Sequence, residues 1–162
     1  MRGRTYVLVA VAAGAMVLPA AAGAQLADPE DTAAVENAVD PVIDRGPGAT
    51  LQAGQPAVSG GRVRAVAVFR RVAGVGPGQV RIGLYRAAPG AAVGRRVILN
   101  SVRFARGGSS SIRVPVSAVC VKARRPSLWF VVTVAGYQPR AGAATVRLRA
   151  TSRSSLLPCN RG

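Results

Sequence analysis

The chain has 162 residues, 22 of them lysine or arginine against six acidic ones, no histidine, and a formal net charge of +16. The lack of histidine excludes Ser/His/Asp and Cys/His nucleophile arrangements, and with them zinc or copper sites built on imidazole. A chain this basic is suited to anionic partners, which it attracts through a long-range, salt-sensitive field.

Taken in chain order, the first element is a leader. Arg2 and Arg4 form a basic head, Tyr6 to Leu18 an apolar run, and Pro19 opens a small-residue stretch in which Ala22 and Ala24 suit signal peptidase. Residues 1–24 therefore read as a secretory signal peptide cut before Gln25, and the protein as secreted or extracytoplasmic. The other reading, an uncleaved anchor, has the length to span a bilayer but ends in small residues and not in a charged stop. No later apolar run is long enough to span as a helix, and the 138 residues from Gln25 onward suit one domain.

The six acidic residues, Asp28, Glu30, Asp31, Glu36, Asp40 and Asp44, all precede Arg45. Residues 25–48 read as an acidic linker or short helix. Asp28 is the N-cap, Pro29 the first helical position, Pro41 the stop and Gly46-Pro47-Gly48 a turn. A solvated linker is the favoured reading; the other is an arm folded back over the basic body.

Residues 49–162 read as strands. In "RVRAVAVFR", Val63, Ala65, Ala67 and Phe69 alternate with Arg62, Arg64 and Arg70. "QVRIGLYR" turns Val80, Ile82 and Leu84 inward and Arg81 and Tyr85 outward. "RRVILNSVRFA" carries Val97, Leu99, Val102 and Phe104, with a parity change that predicts a bulge near Asn100. "SIRVPVSAVC" sets Ile112, Val114 and Val116 inward, and Pro115 marks an edge strand. "SLWFVVTVAGY" is the candidate central strand, with Trp129 in the core, and "TVRLRATSR" turns Val146 and Leu148 inward. A weaker strand falls within 49–60. Glycine- and proline-rich turns separate these runs and leave almost no room for helices. The fold class is all-β: an antiparallel β-sandwich of about six to seven short strands, of immunoglobulin/fibronectin-like architecture in Greek-key order. A small barrel or jelly roll is the alternative.

Outside the cytoplasm two cysteines are most simply explained as a disulfide, so Cys120 and Cys159 are expected to pair and tether the C-terminal end. No base or second thiol lies near either in sequence, and no CxxC motif is present. The body from residue 45 on has no carboxylate for acid–base work or calcium binding, and the glycines at 74, 76 and 78 lead into a strand, unlike a nucleotide loop. No catalytic, cofactor or metal site is expected, and no cofactor. A Ser/Lys pair with Lys122, the only lysine, would stand in a basic turn.

The arginines remain. Arg64, Arg81, Arg103, Arg113, Arg147 and Arg149 occupy outward strand positions and Arg124 and Arg125 a turn, so together they form a candidate anion-binding surface. Coding bias toward G and C explains arginine in place of lysine, but not the disappearance of acidic residues after Asp44. The expected partner is an anionic cell-surface polymer, or failing that an envelope protein. Sequence-specific nucleic acid is not expected without a recognition helix, and only Tyr85 and Tyr137 are candidates for stacking on single strands. The function expected is therefore a noncatalytic exported module with a basic surface. The alternatives are a structural or protein-interaction domain of the envelope, and an enzyme using a carboxylate of the acidic window.

Overall fold

A computed structural model of the chain describes residues 42–87, 95–120 and 125–156. They form two antiparallel sheets enclosing one main core. The strands are β1 (Ile43–Gly46), β2 (Ala49–Ala53), β3 (Ala57–Ser59), β4 (Arg62–Arg71), β5 (Gly78–Ala87), β6 (Arg95–Phe104), β7 (Ser110–Val119), β8 (Ser127–Tyr137) and β9 (Val146–Leu156). No helix among the described residues is long and apolar enough to cross a membrane. The leader, most of the acidic segment, Lys122, Arg124 and Cys159 lie outside the described residues.

In the first sheet β4 is central. β7 pairs with it from end to end, while β2 and β3 share its other edge, β2 beside Ala67–Arg71 and β3 beside Arg62–Arg64. β1 adds to the outside of β2. The second sheet runs β6-β5-β8-β9. Alternation decides which face each residue takes: Val63, Ala65, Ala67 and Phe69 of β4 are buried, as are Val80, Ile82 and Leu84 of β5. These side chains meet Val114 of β7 and Trp129, Val131 and Tyr137 of β8 in the main core. Phe69 stands at the centre of an aromatic group, 5.2 Å from the Phe104 ring and 5.3 Å from that of Tyr137.

Side-chain bonds cross between the sheets on both open sides of the sandwich. On one side Asn100 Nδ2 of β6 donates to the carbonyl of Pro115 in β7 at 2.8 Å. On the other the Arg149 N–H of β9 donates to Asp44 Oδ2 of β1 at 2.9 Å. Each bond joins an edge of one sheet to an edge of the other where strand pairing cannot. The hairpin ends are held by arginine: Arg71 donates to the carbonyls of Val75 and Ala105 and to Ser110 Oγ, and lies 5.0 Å from the Phe104 ring centroid. Arg106 donates to the Gly74 carbonyl and to Gln138.

Trp129 in the core, β8 between two neighbours and Pro115 on an edge strand all agree with the sequence reading. The strand count does not: the described residues form nine strands, not six to seven. The weak strand expected within 49–60 is two strands, separated by residues 54–56, with the Gly54 N–H extending the β2–β4 pairing to the Val66 carbonyl. The other addition is β1, which lies within 25–48.

One further expectation is corrected. β6 runs unbroken through Asn100, and its register shift falls between Leu84 and Tyr85 of the partner strand, which leaves Val97 as the extra residue. Ile98 and Phe104 are therefore the residues packed on the core, while Val97 and Leu99 are exposed. Asn100 can occupy an inward position because β6 is an edge and the Pro115 carbonyl receives its amide. The expected Cys120–Cys159 disulfide includes Cys159, which lies outside the described residues. At this end Cys120 packs against the main core, and its N–H donates to the Gly61 carbonyl at 3.2 Å.

Candidate anion-binding site

The alternation that buries Val63 to Phe69 sends the other residues of β4 to solvent. Arg62, Arg64, Val66, Val68 and Arg70 point away from the core, and on β7 so do Ser111, Arg113, Pro115, Ser117 and Val119. Because β4 and β7 pair along their full length, Arg64 faces Ser117, Val66 faces Pro115, and Val68 faces Arg113. The outer face of β4 and β7 thus holds four arginines, Arg45 of β1 adds a fifth to the sheet, and no carboxylate of the described residues lies on that face.

Two of the four are engaged. Arg62 Nε donates to Ser117 Oγ at 2.6 Å, and Arg70 donates to Gln52 Oε1 at 3.4 Å. Arg64 and Arg113 are exposed and reach no carboxylate among the described residues. Between them lies an open hollow of about 760 Å³ lined by Gln55, Arg64, Val66, Arg113, Pro115 and Ser117, with the backbone of Ala65 and Val116 below. Its floor is apolar, Val66 and Pro115, and its rim is polar. Ser117 Oγ accepts from Arg62 and keeps its own proton to donate. Each guanidinium fork can hold two oxygens of an anion at once, and the floor between them can cover apolar surface.

The other arginines named from the sequence fall elsewhere. Arg81, Arg103, Arg147 and Arg149 share the outer face of the second sheet, since Arg81 and Arg149 both flank Val134, and Arg103 and Arg147 lie in the row of Gln79 and Gly136. Arg125 is exposed in the turn before β8, and Arg124 lies outside the described residues. The arginines thus divide between two opposite faces. The sequence did not single out Gln55, Ser117 or the Val66–Pro115 floor. The signal that would have found them is the pairing of β4 with β7, which are far apart in the chain.

Neither tyrosine offered for stacking is available for it. Tyr137 is fully buried and donates its hydroxyl to the Pro47 carbonyl at 3.1 Å. Its pKa is raised from the ordinary 10.0, chiefly by burial and secondarily by the charge of Asp44. Tyr85, 1% exposed, lies along the outer face of the second sheet over Gly83, where an added Cβ would come within 2.7 Å of its hydroxyl. It forms a small second cluster with Ala87, Phe130 and Val132. Asp44, the one carboxylate among the described residues, receives the N–H groups of Arg45 and Arg149. No group of three potential metal ligands occurs among the described residues.

No protein-family model matches the chain, and no curated protein does. Among solved structures it is similar to a β-glucosidase from Kluyveromyces marxianus in complex with glucose, at 9% identity and a TM-score of 0.32, covering 67% of this chain and 14% of that one. The selenomethionine-labelled form of a β-glucosidase from the same organism gives 9% identity and a TM-score of 0.29, over 66% of this chain and 14% of that one. The likeness is too slight to carry functional meaning, and the chain spans only a small part of each.

Proposed function

We propose that this protein is an exported, noncatalytic β-sandwich module of immunoglobulin/fibronectin type that binds an anionic cell-surface polymer through the outer face of its first sheet. The architectural part is supported by the strand order. β2, β4 and β7 lie in one sheet and β6, β5, β8 and β9 in the other, so the chain changes sheets between β4 and β5, β6 and β7, and β7 and β8. The functional part is carried by one observation: Arg64 and Arg113 flank an apolar hollow on a face that has no carboxylate among the described residues. Export rests on the leader sequence, and the noncatalytic reading on the absence of histidine together with the engagement of Asp44.

The test is binding of the purified protein to wall polymer, acidic polysaccharide, duplex DNA and anionic vesicles across a salt series, with Arg64→Ala/Arg113→Ala as the control. Retention of one polymer at physiological salt, lost in the double variant, is expected. Weak binding to all four that vanishes together with salt would reject the reading. A second reading, a module for a protein partner, is favoured by β6, an edge strand that exposes Val97, Leu99 and Val102. Its mark is partner binding that is insensitive to salt.

A further inference from the structure

We infer that the hollow takes a carboxylated sugar chain of uronic-acid type, in preference to a polymer whose only anions are phosphates; this rests on the anion-binding reading above. Arg64 faces Ser117 and Arg113 faces Val68, so the two arginines stand four residues apart along the sheet and one strand across. Strand geometry makes that about 14 Å between their Cα atoms. Between them along the sheet lies the Val66–Pro115 pair.

What lies in the gap selects the ligand. Val66 and Pro115 offer an apolar floor, and Gln55 and Ser117 offer amide and hydroxyl groups at its side. A pyranose ring has a face of C–H groups that can cover such a floor, and hydroxyls at its edge for the amide and the serine. Its carboxylate matches the planar fork of an arginine. A phosphate chain supplies the charge but no apolar face, so it would leave the floor uncovered while losing water from its own oxygens.

The experiment compares polygalacturonate, its methyl ester and inorganic polyphosphate at matched length, binding to the purified protein near physiological salt. Polygalacturonate is expected to bind about tenfold more tightly than either of the others. Pro115→Ser and Val66→Ser should weaken polygalacturonate binding severalfold and leave polyphosphate unchanged. Pro115 stands on an exposed edge, so its variant keeps the test open if the Val66 variant does not fold. Equal binding of polyphosphate, or equal loss for both polyanions in the floor variants, would overturn the sugar-chain inference and leave anion binding standing. Undiminished binding of the uncharged methyl ester would remove the anion-binding reading as well. Polyanion binding unaffected by Arg64→Ala/Arg113→Ala, or no binding to any probe, would remove both.

Discussion

Replacing Gly46 by alanine tests whether β1 belongs to the sandwich and is not an appendage. An alanine Cβ there would lie 2.5 Å from Tyr137 Oη, 2.9 Å from Leu148 Cδ2 and 3.5 Å from Val146 Cγ1. Gly46 is not among the positive-φ glycines, so the cost comes from contact and not from backbone strain. Tyr137 has little room to yield, because its hydroxyl is bonded to the Pro47 carbonyl and its ring packs edge-on against Phe69. Overpacking of this kind costs about 1–3 kcal/mol, which urea denaturation would register as a midpoint shift of roughly 1 M. Tyr137→Phe alone gives up one hydrogen bond, about 1 kcal/mol. The same substitution removes the oxygen that the new methyl meets, so the double variant should be less destabilised than the sum of the singles by about 1 kcal/mol. Rescue is partial because Leu148 still stands close. A Gly46→Ala protein within about 0.5 kcal/mol of the parent, or strictly additive effects, would refute the packing described for β1.

Other expectations follow from the same structure. Phe69→Ala empties the centre of the aromatic group and should cost about 3–5 kcal/mol by denaturation. Arg71→Lys keeps the charge but not the fork that reaches Val75, Ala105 and Ser110, and should cost about 1–2 kcal/mol with faster hydrogen exchange in the two hairpin ends. The raised pKa of Tyr137 means that the folded state holds this proton more tightly than the unfolded chain does. Its stabilisation is therefore complete below about pH 10 and is lost as pH rises through the higher folded value; Tyr137→Phe should flatten the fall in stability above pH 10.

The alternation of arginine with small apolar residues made β4, β5, β7 and β9 legible from the sequence. A strand exposed on one face must carry that pattern wherever it lies. β6 was misjudged because its ladder against β5 runs without a shift from Phe104 to Ile98, which puts Ile98 inside and Leu99 outside; the extra residue falls only at Val97, where the partner strand decides it. Tyr85 was placed on the correct face, but only the structure reveals that Gly83 beneath it gives the ring a place to lie flat. The candidate site was half legible. Arg64 and Arg113 were each visible as outward residues, yet their common hollow depends on a pairing between strands that are distant in the chain. Such pairings are fixed by the whole core, and no local pattern announces them.

Binding of the polyanion through one face, and not through total charge, is the proposal most directly open to test. The direct measurement compares two variants of equal charge, Arg64→Ala/Arg113→Ala on the first sheet and Arg81→Ala/Arg103→Ala on the second, for polygalacturonate affinity across a salt series. The first pair should lose about tenfold in affinity, with the slope of log K against log salt falling by about 1 to 2, while the second pair changes affinity by less than about threefold. Equal losses in the two pairs would show that the basic charge acts without a site and would contradict the account.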